Sequence, residues 1–305
     1  MKISVRGELI ENAPIGEQSW FRCGGHADLL FKPADADDLA EFLKQWPLKE
    51  PLIVLGGLAN TIVRDGGIRG AAVQLGKAFA NVKVLDERYV EAGCGTLNGN
   101  IAAAAVKAGI GGLEFLSGIP GSLGGALRMN AGAYGAEIKD VLVGVNAITR
   151  GGLQRRIVPD DLKMGYRHTE LPEDMIFISA VLKGVSEDYD TVKARMTGIK
   201  QKRNATQPIK EQTGGSTFAN PSVQDLRKAG MPEDTKAWQV VEKVEGRGLM
   251  IGGAQMSEKH CNFMINTGNA TASDLENLGE EIRSRALDQL GLTLHWEIKR
   301  IGEKV

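Results

Sequence analysis

Residues 111–135 read Gly111-Gly-Leu-Glu-Phe-Leu-Ser-Gly-Ile-Pro-Gly-Ser-Leu-Gly-Gly-Ala-Leu-Arg-Met-Asn-Ala-Gly-Ala-Tyr-Gly135. Eight glycines in twenty-five residues, with Glu114 and Arg128 as the single charge pair, are too many for a packed helix, and the stretch is too apolar for a linker. The clusters Gly118-Ile-Pro-Gly121 and Gly124-Gly125 can turn sharply and aim successive N–H groups into one concavity, a shape suited to phosphate oxygens or a flat ring. The competing reading is a buried, turn-rich connection whose glycines only let strands pack closely.

A second loop of the same kind lies upstream. Pro51-Leu-Ile-Val-Leu-Gly-Gly-Leu-Ala-Asn60 is a buried-strand pattern running straight into a glycine turn. Neither loop is a dinucleotide fingerprint, since Gly-x-Gly-x-x-Gly is absent, and neither is a P-loop, since no Gly-Lys-Ser/Thr follows. Around them, Asp35 and Asp37 offer caps for a helix over residues 38–46 that Pro47 stops, and Thr96 offers a cap for a helix through residues 101–108 ended by Gly109. Short strands are expected at 71–75, 82–85, 89–92, 141–149 and 175–182, giving α+β texture on a mostly antiparallel sheet. The polar run 186–207 reads as a domain boundary. Beyond it, Thr271 and Asp274 form a capping-box start to a helix with Leu275, Leu278, Ile282, Ala286 and Leu290 on one face, ended by Gly291. Residues 292–299 alternate as a strand with Leu292, Leu294, Trp296 and Ile298 on one side.

Composition narrows the function classes. A chain of 305 residues is long for one core, and 39 glycines are nearly twice the usual share. A net charge of −1 gives no electrostatic case for nucleic acid or an anionic membrane, and no run approaches a membrane span. Cys23, Cys94 and Cys261 have no Cys-x-x-Cys spacing and cannot pair completely, which points to a reducing cytoplasm. His26, His168, His260 and His295 form no His-x-x-x-His pair, so no metal is expected. Ser216, in Gly214-Gly-Ser-Thr-Phe218, is read as a loop serine outside any Gly-x-Ser-x-Gly elbow, so acyl transfer is not expected.

Eight blocks in order carry a family resemblance: Arg22-Cys-Gly-Gly-His-Ala, Leu55-Gly-Gly-Leu-Ala-Asn-Thr-Ile-Val-Arg-Asp-Gly-Gly, Gly118-Ile-Pro-Gly-Ser-Leu-Gly-Gly, Met129-Asn-Ala-Gly-Ala-Tyr-Gly, Tyr166-Arg-His, Gly215-Ser-Thr-Phe-Ala-Asn-Pro, Lys259-His-Cys-Asn-Phe and Glu297-Ile-Lys-Arg-Ile-Gly. Together they resemble the UDP-N-acetylenolpyruvoylglucosamine reductase family over nearly the whole chain. The short connection after Tyr166-Arg167 resembles the second subtype, which lacks an extra substrate-covering loop.

The resemblance implies an α+β, three-domain flavoprotein. Residues 1–76 and 77–190 would be vanillyl-alcohol-oxidase-type FAD-binding domains, and 191–305 a C-terminal α+β domain for the UDP-sugar. It implies non-covalent FAD, with His26 a turn residue rather than an attachment point, and NADPH as reductant. NADPH would reduce the flavin, whose N5 would pass hydride to the enolpyruvyl methylene of UDP-N-acetylglucosamine enolpyruvate. The negative charge left on the next carbon, beside a carboxylate, calls for a cation, a polariser and a proton source. By motif match these are Arg167, Glu297 and Ser216. A solvated Glu297 would be ionised and would repel an enolate, so its role requires burial and a proton.

The same match assigns FAD contacts to Gly56, Gly57, Leu58, Ala59, Asn60, Thr61, Gly118, Ile119, Pro120, Gly121, Ser122, Gly124, Gly125, Asn130 and Gly132, and substrate contacts to Tyr166, Asn220, Lys259, His260 and Asn262. The implied setting is peptidoglycan precursor synthesis, hence cell shape and division, by a cytoplasmic monomer. Two departures stand out. Leu58 and Ala59 replace a glycine and a serine usual in the family, and Ala219 replaces a common lysine whose charge Lys259, Arg203 or Arg247 could supply. The alternatives are an oxidase of the same superfamily, which air alone would reoxidise, and a non-catalytic flavin or nucleotide-sugar module, which would bind without oxidising NADPH.

Overall fold

The apolar run Leu52–Leu55 pairs in parallel with Ile68–Gln74, within a four-stranded sheet completed by Ala27–Lys32 and Glu8–Ala13. The computed structural model describes residues 3–170 and 175–305. Against this sheet packs the helix Ala36–Gln45, whose Leu39, Phe42 and Leu43 are buried as the helical spacing requires. Its cap is Asp35, whose carboxylate accepts the Asp38 amide at 2.9 Å; Asp37 has no part in the cap. Phe42 stacks on Phe31 with ring centroids 4.3 Å apart.

A second, five-stranded antiparallel sheet follows, built from Val82–Val84, Tyr89–Gly93, Leu142–Thr149, Gln154–Ile157 and Met175–Lys183. The helix Asn98–Lys107 belongs with it, and Gly109 ends it at φ +66°. Thr96 is not its cap: the flanking residue is Leu97, and the Thr96 hydroxyl donates to the Asn81 carbonyl at 2.9 Å.

The chain divides into two compact units. The first takes the N-terminal residues through Asn12 with Asp28–Gly57 and Gly70–Arg203, and so holds both of these sheets but for the end residues Ala13 and Ala27. The second takes Ala13–Ala27, Leu58–Arg69 and Asn204–Val305. The polar run read as a boundary is an 18-residue helix, Tyr189–Thr206, and the division falls at 203/204 inside its last turn rather than near 190.

The second unit carries a four-stranded antiparallel sheet of Gln212–Ser216, Phe263–Asn266, Ala254–Met256 and Met250–Ile251. The helix Ala272–Leu290 packs on it through Leu275, Leu278, Ile282 and Ala286. It begins in the expected Thr271/Asp274 capping box and ends at Gly291, φ +62°. Asp65 adds a carboxylate to the helix start, accepting the amides of Ala272 at 3.0 Å and Ser273 at 2.9 Å. Residues 292–298 keep the expected alternation of burial, yet they are not a strand; among the described residues their one ladder contact is a Phe218–Trp296 bridge, and regular pairing starts at Lys299–Ile301, parallel to Thr61–Val63.

The glycine stretch is not wholly loop. Residues Glu114–Gly118 form a 3₁₀ turn and Leu123–Arg128 a short α-helix containing Gly124 and Gly125. Leu123, Ala126 and Leu127 are buried, so apolar packing at three of six positions holds a helix that propensity alone would not. Glu114 pairs with Arg195 rather than Arg128; it is buried, and the Arg195 guanidinium donates to it at 2.7 Å while also bonding Glu187. Arg195→Ala is therefore expected to lower unfolding free energy by about 1–2 kcal/mol in urea titration, by leaving a buried carboxylate unpaired, whereas Arg128→Ala should stay within about 0.5 kcal/mol.

Candidate active site

In the first unit the two glycine loops meet backbone to backbone. A Cβ added at Gly56 would stand 2.9 Å from Ser122 Oγ, and one at Gly57 would stand 3.3 Å from Gly121 Cα. Gly121 has φ +84°, which a side chain rarely tolerates. Only part of the expected amide concavity remains open. The amides of Ile119, Leu123 and Gly124 donate to the carbonyls of Leu116, Thr96 and Cys94 at 3.1, 2.9 and 2.9 Å. Gly124 serves close packing, since its Cβ would lie 3.2 Å from Cys94. The open face is at Gly125, where an added Cβ would meet no described atom within 4 Å, and the buried Ser122 hydroxyl, beside Gly56, has no partner among the described residues. A ligand presenting oxygens or a flat ring can reach main chain here, as FAD would require. Of the remaining assigned residues, Ile119 and Pro120 flank this face half-buried, and Gly118 is covered by the Tyr134 ring.

The second half of the same stretch holds Arg167. Asn130 is fully buried and at φ +39°; its Nδ2 donates to the Gly165 carbonyl at 2.9 Å and to Glu137 Oε2 at 2.9 Å, and its Oδ1 accepts the Lys139 amide at 2.9 Å. Gly165 and His168 exchange backbone bonds across a tight turn with Arg167, φ +54°, at its apex. The Arg167 guanidinium donates to the Gly132 carbonyl at 3.2 Å and lies 5.1 Å from the Tyr166 ring centroid. Thr169 ties the turn down through its hydroxyl, which donates to Leu127 O at 2.6 Å. The assigned FAD contact Asn130 thus spends both donors and one acceptor site inside the protein.

In the second unit Ser216 and Glu297 come together from positions 81 residues apart. Ser216 is the last residue of a strand, not a loop serine; a bulge between Thr213 and Ser216 re-aims the strand before Ser216 pairs with Phe263. The next residue, Thr217, accepts the Glu297 amide at 2.8 Å. On the other side, Asn60 Nδ2 donates to the Glu297 carbonyl at 3.1 Å, and Asn60 O accepts the Lys299 amide at 3.0 Å. Glu297 is half-buried. Asn262, read as a substrate contact, is buried and clamps Phe218 from both ends: its Oδ1 accepts the Phe218 amide at 3.1 Å and its Nδ2 donates to the Phe218 carbonyl at 2.9 Å. Asn220 accepts the Ala237 amide at 3.0 Å through Oδ1, at the start of the helix Ala237–Lys243.

Lys259 is exposed and donates to the Asn204 carbonyl at 2.6 Å, in the last turn of a helix, where a cation suits the helix dipole. It borders a cavity of about 590 Å³ with Asn204, Lys210, Gln255, Ser257 and Ile265. His260 is half-buried against Phe263, and burial holds its pKa below the usual 6.5. Burial pushes the Cys23 and Cys261 thiols up to about 12, and Cys94 higher still, so none is a nucleophile at neutral pH.

The departures from the family pattern also have a structural expression. Leu58 sits at φ +49°, the left-handed region a glycine enters freely, and is buried there; Ala59 is buried beside it and Thr61 opens the strand Thr61–Val63. The left-handed turn is thus kept with a residue that makes it costly, by about 1–2 kcal/mol.

Residues 27–157 match the FAD binding domain, and residues 207–301 match the UDP-N-acetylenolpyruvoylglucosamine reductase C-terminal domain. A UDP-N-acetylenolpyruvoylglucosamine reductase of Maricaulis maris is 50% identical over 301 residues, covering 98% of this chain and 93% of that one. The chain belongs to this reductase family. A relative of the same name from Gluconobacter oxydans is 48% identical over 98% of this chain and 94% of its own. The crystal structure of the family's enzyme from Thermus caldophilus superposes with a TM-score of 0.80 at 27% identity, covering 98% of this chain and all of that one. The family's α+β architecture is therefore this chain's.

What sequence reading missed are the main-chain partners: the carbonyls of Gly132, Gly165 and Thr217, which carry no residue signature, and Thr169, whose hydroxyl gave no signal among other threonines.

Gly125→Val places its side chain in open space, so the variant should fold with a native melting profile and lack the flavin absorbance band, whereas Gly121→Val should also lose stability through its φ of +84°. Because folding depresses the His260 pKa, the unfolded chain binds more protons as pH falls through the window below 6.5, and stability drops there. Urea midpoints between pH 7 and 5 should accordingly decline less for His260→Gln than for the wild type.

Proposed function

We propose that the chain reduces UDP-N-acetylglucosamine enolpyruvate to UDP-N-acetylmuramate in peptidoglycan precursor synthesis, with FAD as bound cofactor and NADPH as reductant. The observation that carries this reading is the near full-length match to named reductases at about half identity, in a chain that keeps Arg167, Ser216 and Glu297. FAD, when bound, accepts hydride equivalents from NADPH and makes them available to the substrate. The loops Gly56-Gly57 and Gly118 to Gly125 would hold it by main-chain contact, with Leu58, Ala59 and Thr61 continuing the first loop.

Arg167 would bind the substrate carboxylate and the enolate charge that grows beside it; a planar fork suits two adjacent oxygens. Glu297, carrying a proton, would polarise the same group. Ser216 would deliver the final proton to carbon, a step its weakly acidic hydroxyl can make because the accepting carbanion is far more basic. Tyr166, Asn220, Lys259 and His260 are proposed substrate contacts, with Lys259 and the neutral imidazole of His260 serving the nucleotide-sugar end. A three-part division at 76/77 and 190/191 is proposed. We place the enzyme in the cytoplasm as a monomer supporting cell shape and division; among the described residues no helix is long and apolar enough to cross a membrane.

Ser216→Ala tests the assignment. It should keep bound FAD and its bleaching by NADPH under anaerobic conditions, yet reoxidation by the enolpyruvyl substrate should slow by about 10²–10⁴-fold, the worth of a general acid. Undiminished turnover would remove Ser216 from the reaction. Rapid reoxidation of the wild type by air alone would point to an oxidase, and flavin binding without NADPH oxidation to a non-catalytic module.

A further inference from the structure

Each of the three proposed catalytic residues has an asparagine at its back. Asn60 grips the main chain of Glu297 itself, through Nδ2 to the Glu297 carbonyl at 3.1 Å. Asn130 grips Gly165, two residues before Arg167, through Nδ2 at 2.9 Å. Asn262 grips Phe218, two residues after Ser216, at both amide and carbonyl, 3.1 and 2.9 Å. At Glu297 and Phe218 the side-chain amide stands where no backbone partner is supplied among the described residues, and at Gly165 it adds a second donor to a carbonyl that already accepts the His168 amide; all three segments are neither helix nor regular ladder. Residues 217–218 are past the strand end, 165–168 are a turn, and Glu297 lies before pairing begins.

We infer that Asn60, Asn130 and Asn262 are positioning residues for the catalytic set rather than contacts to FAD or to the nucleotide-sugar. The inference rests on the assignment of Arg167, Ser216 and Glu297 made above. Two physical points carry it. An amide that donates to the Glu297 or Phe218 carbonyl satisfies a group with no backbone donor among the described residues, and in all three cases the bond fixes the peptide plane near which the neighbouring side chain projects. Asn130 and Asn262 are also buried; both donors of Asn130 are engaged, so a ligand could take one only by breaking a bond already made, and Asn262 is held to Phe218 at both its oxygen and its nitrogen.

Asn60 has a further consequence. It lies in the loop that begins at Gly56, and its own carbonyl accepts the Lys299 amide at 3.0 Å, so one residue sets both the end of the first glycine loop and the backbone of the proposed acid. Replacing the asparagine with aspartate would turn a donor into an acceptor facing the Glu297 carbonyl and would push that peptide away.

The test separates the two half-reactions. Asn60→Ala, Asn60→Asp, Asn130→Ala and Asn262→Ala are purified with FAD, and flavin content, thermal midpoint, anaerobic bleaching by NADPH, and reoxidation by the enolpyruvyl substrate are measured on each. The expected result is near-normal flavin content and bleaching rate with reoxidation slowed about 10- to 100-fold, the scale of a misplaced reacting group. The fall should sit in kcat with KM little changed, and Asn60→Asp should be slower than Asn60→Ala.

A variant that folds but loses FAD would make its asparagine a cofactor contact, and one that raises KM with kcat intact would make it a substrate contact; either overturns the inference for that residue. If a variant fails to fold, Asn262→Asp and Asn130→Ser, which keep one acceptor, replace it under the same criteria. Glu297→Gln and Ser216→Ala are run alongside. Normal reoxidation in those two would sink the catalytic assignment itself, whereas their loss with unaffected asparagine variants would sink only this inference.

Discussion

A three-residue parallel ladder, Thr61–Val63 against Lys299–Ile301, is the constraint on which the proposed chemistry of the second unit depends. It joins positions more than two hundred residues apart in sequence. Asn60 stands at its mouth, and through it Glu297 is fixed by one bond to its carbonyl while Thr217 fixes its amide. Ser216 precedes Thr217 by a single peptide, so the proposed proton donor and the proposed polariser share one hydrogen-bonded corner. Ile62, Phe218, Leu294 and Ile298, neighbours of these residues in sequence, are buried in one apolar cluster that anchors the corner.

The first unit solves a different problem with the same economy. The stretch from 111 to 135 provides, in its first part, a main-chain surface that something flat or anionic can approach, and in its second part the anchors for the Arg167 turn. Positive backbone angles at Asn130, Tyr134 and Arg167 cluster there. Non-glycine residues persist in such conformations only where surrounding bonds over-determine them. Asn130, with three side-chain bonds, is the residue that over-determines this region.

Much of the architecture was legible in the residues. Asp35, the Thr271/Asp274 box and Gly291 act as helix signals should, because capping is a local interaction between near neighbours. The glycine loops declared close approach, and the blocks of matching sequence declared the family. Thr96 misled because a tertiary partner, the Asn81 carbonyl, took its hydroxyl. Glu114 misled in the same way, finding Arg195 rather than the nearer Arg128. Residues 292–298 have the alternation of a strand without the ladder, since alternation reports burial on one side and says nothing of who supplies hydrogen bonds. The asparagines show what sequence cannot carry: their position beside matched motifs suggested ligand contacts, and only coordinates reveal that Asn60, Asn130 and Asn262 each also bond main-chain atoms far away in sequence.

The second unit is assembled from Ala13–Ala27, Leu58–Arg69 and the chain from Asn204 onward. On the ribosome its first two segments emerge long before their sheet partners exist, and at the usual pace of about 5–20 residues per second they wait for many seconds. Segments such as Ile62-Val63, apolar and edge-forming, would stay exposed through that interval. The topology that places Glu297 thus lets the first unit gather all its segments before synthesis passes residue 204, while the second unit must wait for the rest of the chain.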